Sequence, residues 1–127
     1  MTTGDELIQD IRALIRQLRH ELKWKQGAAF RHLLKRKVRH HLPSDASLGD
    51  YESLIRRLLD SEDAIIYVYY GDDTPYLCVT APLEERLWLV MASFDGLMET
   101  AFVVENPTTY LARPAFHHVG KLGEVMR

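Results

Sequence analysis

Residues 87–104 read LWLVMASFDGLMETAFVV, two apolar runs joined by Asp95-Gly96. An Asp-Gly pair between alternating apolar runs is a strong two-residue hairpin signal of type I′. It predicts strands over Leu87–Phe94 and Leu97–Val104. The turn sets the register. Phe94 should face Leu97, Ala92 face Glu99, Met91 face Thr100, Leu89 face Phe102 and Trp88 face Val103. Alternation then places Trp88, Val90, Ala92, Glu99 and Ala101 on one face, and Leu87, Leu89, Met91, Thr100 and Phe102 on the other. The Leu/Met/Phe face reads as the core. The opposite face is also apolar, so a partner or a long helix should cover it.

Upstream, Ala64–Tyr70 (AIIYVYY) is β-branched and aromatic, and predicts another strand. The cluster Gly71-Asp72-Asp73-Thr74-Pro75 is its turn. Tyr76–Thr80 is the next strand, and Pro82–Arg86 a polar connection. A turn or short helix starts at Asn106-Pro107, and Phe116–Leu122 reads as an edge strand.

Before residue 61 the period changes to that of a helix. Leu7, Ile8, Ile11, Leu14, Ile15, Leu18 and Leu22 form one stripe of a helix over Asp5–Lys25. A second helix covers Ala28–His41, with Phe30, Leu33, Leu34, Val38 and Leu42 inward, and Pro43 stops it. Ser47 with Asp50 is a capping box for a third, Leu48–Leu59. Helices followed by strands predict an α+β fold, with two to three N-terminal helices packed on a four- to five-stranded antiparallel meander.

The chain has 127 residues, 46% apolar and 27% charged, which suits a single globular domain over 1–127. One cysteine, Cys78, excludes an internal disulfide. No zinc-type spacing is present, so no metal and no cofactor is expected. The absence of a signal peptide or spanning run predicts a cytoplasmic protein without a membrane partner.

Charge is divided unevenly. Residues 1–60 carry 12 Lys+Arg against 8 Asp+Glu, and residues 61–127 carry 4 against 10. Residues 12–41 hold ten bases and one acid, Glu21, together with four of the six histidines. Residues 1–42 therefore read as a basic helical arm, and 43–127 as helix plus sheet. Such a block attracts polyanions, unless the acidic half of the same molecule balances it.

No phosphate loop, zinc-protease motif, nucleophile elbow or dinucleotide fingerprint is present. Two clusters carry titratable chemistry: Lys37-Val38-Arg39-His40-His41, and His117-His118 near Tyr110 and Arg113. Metal-independent RNA cleavage needs a base for the 2′-hydroxyl, an acid for the leaving oxygen and cations for the phosphate, and these residue types supply all three. The aromatic sheet surface of Tyr67, Tyr69, Tyr70 and Tyr76 offers either base stacking or cross-strand packing.

The stretch Val38–Phe116 resembles the small ribonuclease domains of the barnase–colicin–RelE superfamily, in its toxin-like, phage-associated branch. The resemblance rests on the basic-His segment before Pro43, the short helix Tyr51–Leu59, and LWLVM leading through Asp95-Gly96 into Glu99-Thr100-Ala101-Phe102. It implies His40 or His41 as acid/base residue, Thr100 as a polar group of the site, and Arg56 or Arg57 as phosphate contacts. On this reading His40 and His41, with His118, do acid/base work on RNA, and Lys37, Arg39 and Arg56 hold the phosphate. The competing reading is a non-catalytic interaction module of immunity, antitoxin, adaptor or phage structural type. It would bind a protein through the aromatic sheet face or helix one. If helix one stands apart, its stripe becomes a homodimer seam.

Overall fold

The computed structural model describes residues 4–127. The order of elements is α1 (Gly4–His20), β1 (Lys23–Trp24), α2 (Ala28–Val38), α3 (Leu48–Leu59), β2 (Ile65–Gly71), β3 (Thr74–Leu83), β4 (Arg86–Ser93), β5 (Leu97–Val103), α4 (Pro107–Tyr110), β6 (Phe116–Lys121) and α5 (Leu122–Val125). The fold is α+β. The six strands form one sheet in the order β1-β5-β4-β3-β2-β6. The expected meander is present from β2 to β5, and β6 adds to it antiparallel beside β2. The sheet as a whole is mixed, because β1 joins the β5 edge in parallel.

That strand corrects the end of the first helix, which stops at His20 rather than Lys25. Leu22 still enters the core, but Lys23 and Trp24 pair with Leu97 and Met98, and the Lys25 N–H donates to the Met98 carbonyl. Lys25 also meets Glu99 at 3.0 Å across this junction. Two residues of strand are too short for a periodicity to reveal.

The expected stripe of α1 is buried from Ile11 to Leu18, with Leu7 and Ile8 packed at its start. Two bases of its opposite face are tied to the rest of the fold. Arg12 donates to the Val125 and Arg127 carbonyls, and Arg19 donates twice to the Leu59 carbonyl at the C-terminus of α3 and lies 3.4 Å from Asp60. These cations complement a helix end and hold the chain terminus. The capping box of α3 forms as expected: Ser47 Oγ accepts from the Asp50 N–H, and Asp50 Oδ2 accepts from the Ser47 N–H.

Of the two sheet faces, the three long helices cover the one bearing Trp88, Val90, Ala92, Ala101 and Val103, not the Leu/Met/Phe face. Both faces are apolar, so alternation could not choose between them. Ala81, Ala92 and Ala101 are small enough for helices to approach closely, which favours this side. The Leu/Met/Phe face forms a second cluster. There Cys78 and Leu89 are buried under Val104, Phe116, Tyr110 and Leu111 of the C-terminal segment.

The β4–β5 register is as expected from Met91–Thr100 to Trp88–Val103. Nearer the turn it slips by one: Ala92 pairs with Met98, and Glu99 is the bulged residue. Gly96 has φ +100 while Asp95 does not turn left-handed, so the turn is not type I′. The Gly96 N–H closes onto the Ser93 carbonyl, and Gln17 of α1 packs where a Gly96 side chain would stand. Tight two-residue turns occur instead at Asp72-Asp73 and at Glu84-Glu85, all four left-handed. The second lets β3 run through Pro82 to Leu83, where a polar connection was expected.

Candidate functional site

Helix α2 attaches to the fold by an unexpected side. Ala28, Leu33 and Arg36 are buried, whereas Phe30, Leu34 and Val38, expected inward, are exposed. The helix ends at Val38 because His40 turns left-handed, with φ 59. The His41 and Leu42 N–H groups then both close onto the Arg36 carbonyl, at 2.8 and 3.2 Å. This is a left-handed helix stop with histidine in the place glycine commonly takes. The reversal drives the His41 ring inward, under the guanidinium of Arg36.

His41 is only 7% exposed and Arg36 only 4%. Arg36 Nη1 donates to His41 Nδ1 at 3.0 Å, and the Val103 N–H donates to the same nitrogen at 3.3 Å. Both neighbours can only donate, which places the ring proton of neutral His41 on Nε2. Nε2 faces Glu105 Oε1 at 3.7 Å, too far for a hydrogen bond. Burial, then the charges of Arg36 and Arg86, hold the His41 pKa below its ordinary value.

Between α2 and β5 these groups line a cleft of about 440 Å³, with His32, Lys35, Arg39, Thr100, Phe102, Glu105, Asn106 and Tyr110 among its walls. Among the described residues, four buried side-chain nitrogen or oxygen atoms have no hydrogen-bond partner: His32 Nδ1, Arg36 Nε, His41 Nε2 and Thr100 Oγ1. All four residues line this cleft. Thr100 Oγ1 lies near the Tyr51 hydroxyl without a well-formed bond to it. Arg36 also sits over the Phe102 ring at 5.6 Å. A larger hollow of about 540 Å³ lies between α1, Tyr70, Pro75 and Phe94. Its only acidic or basic lining residue is Asp10, and it gathers no comparable set of polar atoms.

The electrostatics of Arg36 are lopsided. Burial lowers its pKa first, the Tyr51 hydroxyl opposes this, and Arg39 adds to it. Among the described residues Arg36 forms no ion pair, although Glu105 stands elsewhere on the cleft wall. Burying a cation without a counter-charge is costly, and native structures seldom leave such a group unmatched.

No protein-family model matches the chain, and no curated protein or solved structure matches it significantly.

Of the residues singled out from the sequence, His41, Thr100 and Arg39 come together in the cleft. The others stand elsewhere. The His40 side chain is exposed at the helix stop, and its carbonyl accepts from Arg86 at 2.9 Å. Lys37 lines none of the cleft, and Arg56 and Arg57 are exposed on the last turn of α3. His118 is exposed on β6, with its ring edge-on to Tyr67. Four inter-strand steps separate β6 from β5, or about 19 Å at the usual spacing. His117 packs edge-on to Tyr70. Among the described residues no group of His, Cys, Asp or Glu is arranged to hold a metal ion, and no helix is long and apolar enough to cross a membrane.

Sequence reasoning passed over Arg36, His32, Lys35, Glu105 and Asn106. The spacing that could have found the first three is His32/Arg36 and Lys35/Arg39, two i,i+4 pairs on one side of α2. The apolar residues on the other side drew the expectation away.

Proposed function

We propose that this protein is a non-catalytic interaction module that receives an acidic side chain of a partner protein in the α2–β5 cleft. The observation that carries the reading is the Arg36 guanidinium, buried with an unpaired Nε–H and, among the described residues, in no ion pair. A partner carboxylate supplies both the missing charge and the missing acceptor. Arg is the side chain best shaped for this, because its planar fork binds a carboxylate through two parallel hydrogen bonds. His41 Nε2–H and Thr100 Oγ1 add further donors, and Lys35 and Arg39 raise the local potential.

Acid/base cleavage of RNA finds less support. It needs a base and an acid on opposite sides of one phosphate. The Nδ1 lone pair of His41 is already taken by two donors, and the second expected histidine pair lies across the sheet. Glu105 at the cleft wall and Glu85 just beyond it also oppose a polyanion track.

The test is thermal unfolding in acetate and in inorganic phosphate against chloride at equal ionic strength, for wild type and Arg36→Met. The expected result is a saturable rise in Tm for wild type that the variant lacks; a ligand at 100 times its Kd adds about 2.7 kcal/mol. Equal rises in both proteins overturn the assignment. Bulk RNA incubated with EDTA should survive alike with wild type and His41→Gln. Cleavage by wild type above that of the variant overturns the non-catalytic reading.

A further inference from the structure

The outer side of α2 has no role in the cleft. Phe30, Leu34 and Val38 recur every four residues and stand one above another, 69%, 63% and 69% exposed. Among the described residues the only other large exposed hydrophobic is Tyr70. A folded domain seldom leaves a whole apolar helix stripe in water without a use for it.

The helix that carries the stripe is uniformly basic. Arg31, Lys35, Arg36 and Lys37 lie within Ala28–Val38, Arg39 caps it, and there is no acid. At about 100° per residue, Lys37 flanks the stripe on one side and Arg31 and Lys35 on the other. The stripe is a ridge: none of its three residues lines either hollow described above.

These features select the occupant. A second copy seated ridge to ridge sets Arg31, Lys35 and Lys37 against the same residues, with no carboxylate on the helix to pair them. A convex apolar ridge edged by cations instead fits a soft anionic surface. Three apolar side chains enter the acyl boundary, while the flanking bases lay their methylene stems along it and keep their charges among the phosphates. We infer that the outer face of α2 seats this protein peripherally on an anionic lipid bilayer. Phe30, Leu34 and Val38 insert, and Arg31 and Lys37 meet the headgroups. A surface-lying helix needs no spanning segment, so the lack of one in the sequence does not bear on it. The inference stands apart from the cleft: Arg36 points the other way and takes no part.

The test is co-sedimentation of the full chain with large vesicles of phosphatidylcholine, with and without phosphatidylglycerol, at low and high salt. Binding is expected only to the anionic vesicles and only at low to moderate salt. Phe30→Ser/Leu34→Ser should weaken it at least about tenfold, since each buried CH2 matters. Arg31→Gln/Lys37→Gln should weaken it about 30-fold, from about fivefold for each base near such a surface. Both double variants alter exposed or half-exposed residues, so their Tm should match wild type, and Arg36→Met should bind vesicles normally. Failure of wild type to sediment with anionic vesicles overturns the inference, as does undiminished binding by Phe30→Ser/Leu34→Ser. Sedimentation equilibrium adds a further check: a wild-type dimer that this variant converts to monomer assigns the ridge to a second copy and overturns the lipid assignment.

Discussion

His41 closes the edge of the sheet: its Nδ1 accepts the N–H of Val103 at 3.3 Å, where, among the described residues, no strand lies beside β5 on this side. Strand β1 covers that edge only at Leu97 and Met98. Beyond it, side chains do the work of a strand. The Tyr51 hydroxyl accepts from the Ala101 N–H at 2.9 Å and donates to the Ala101 carbonyl, and His41 takes the next edge-facing N–H, that of Val103. An open edge is a template for pairing with other chains, and these two residues blunt it. The His41 ring thus has its Nδ1 engaged at the sheet edge and turns its unpartnered Nε2 to the cleft.

This gives His41 a pH signature. Its pKa is lowered by burial and by Arg36 and Arg86, and that of His32 by burial and by Arg31, Lys35 and Arg36. The unfolded chain titrates near 6.5 and so binds more protons than the folded one just below that pH. Stability from the neutral rings is complete above about pH 6.5 and is lost as pH falls toward and through the lower folded-state values. Tm measured from about pH 8 to about pH 5 should fall on the acid side. A His32→Gln/His41→Asn variant should fall less steeply; identical slopes would remove these rings from the acid response.

Tyr51→Phe removes the hydroxyl and keeps the ring. It leaves both polar groups of Ala101 buried and unpaired at the strand edge, at a cost of about 1–3 kcal/mol. In a domain of this size each kcal/mol moves Tm by about 3–5 °C. Thermal unfolding that shifts by less than a degree would mean that water or a local shift repairs the edge.

How far the sequence could reveal this arrangement depends on the physical signal at each position. The α1 stripe and the Ser47–Asp50 box are local patterns, and each forms where it was expected. The core register of β4 and β5 follows from alternation alone. Which face the helices cover does not, because Leu89 and Val90 are equally apolar and both are buried. Strand β1 is two residues long and carries a lysine, so only its partner identifies it. Helix α2 misled for a sharper reason. Hydrophobicity placed Phe30, Leu34 and Val38 inside, but the chain reversal at His40 fixes the orientation and buries Arg36. The cleft follows from that reversal, and a left-handed histidine leaves no periodic trace.

The capping box of α3 permits a clean side-chain test. Ser47→Ala deletes the acceptor for the Asp50 N–H and should cost about 1 kcal/mol, while Ser47→Gly should cost only a few tenths. Chemical denaturation of both variants checks the order. A glycine variant less stable than the alanine one would place the effect in backbone freedom rather than the cap.

Cys78 offers a probe of the whole fold. It lies mid-strand on β3 in the second cluster, fully buried, and burial pushes its thiol pKa up to about 12. At pH 8 about one molecule in ten thousand is then thiolate, the reactive species. The native protein should not react with a disulfide reagent such as Ellman's on the time scale of minutes, whereas the chain in denaturant should react at once. Slow native labelling should therefore follow global unfolding, and destabilising variants such as Tyr51→Phe should quicken it in proportion to their lost stability. Rapid labelling of the native protein would show instead that the C-terminal segment over Cys78 opens on its own.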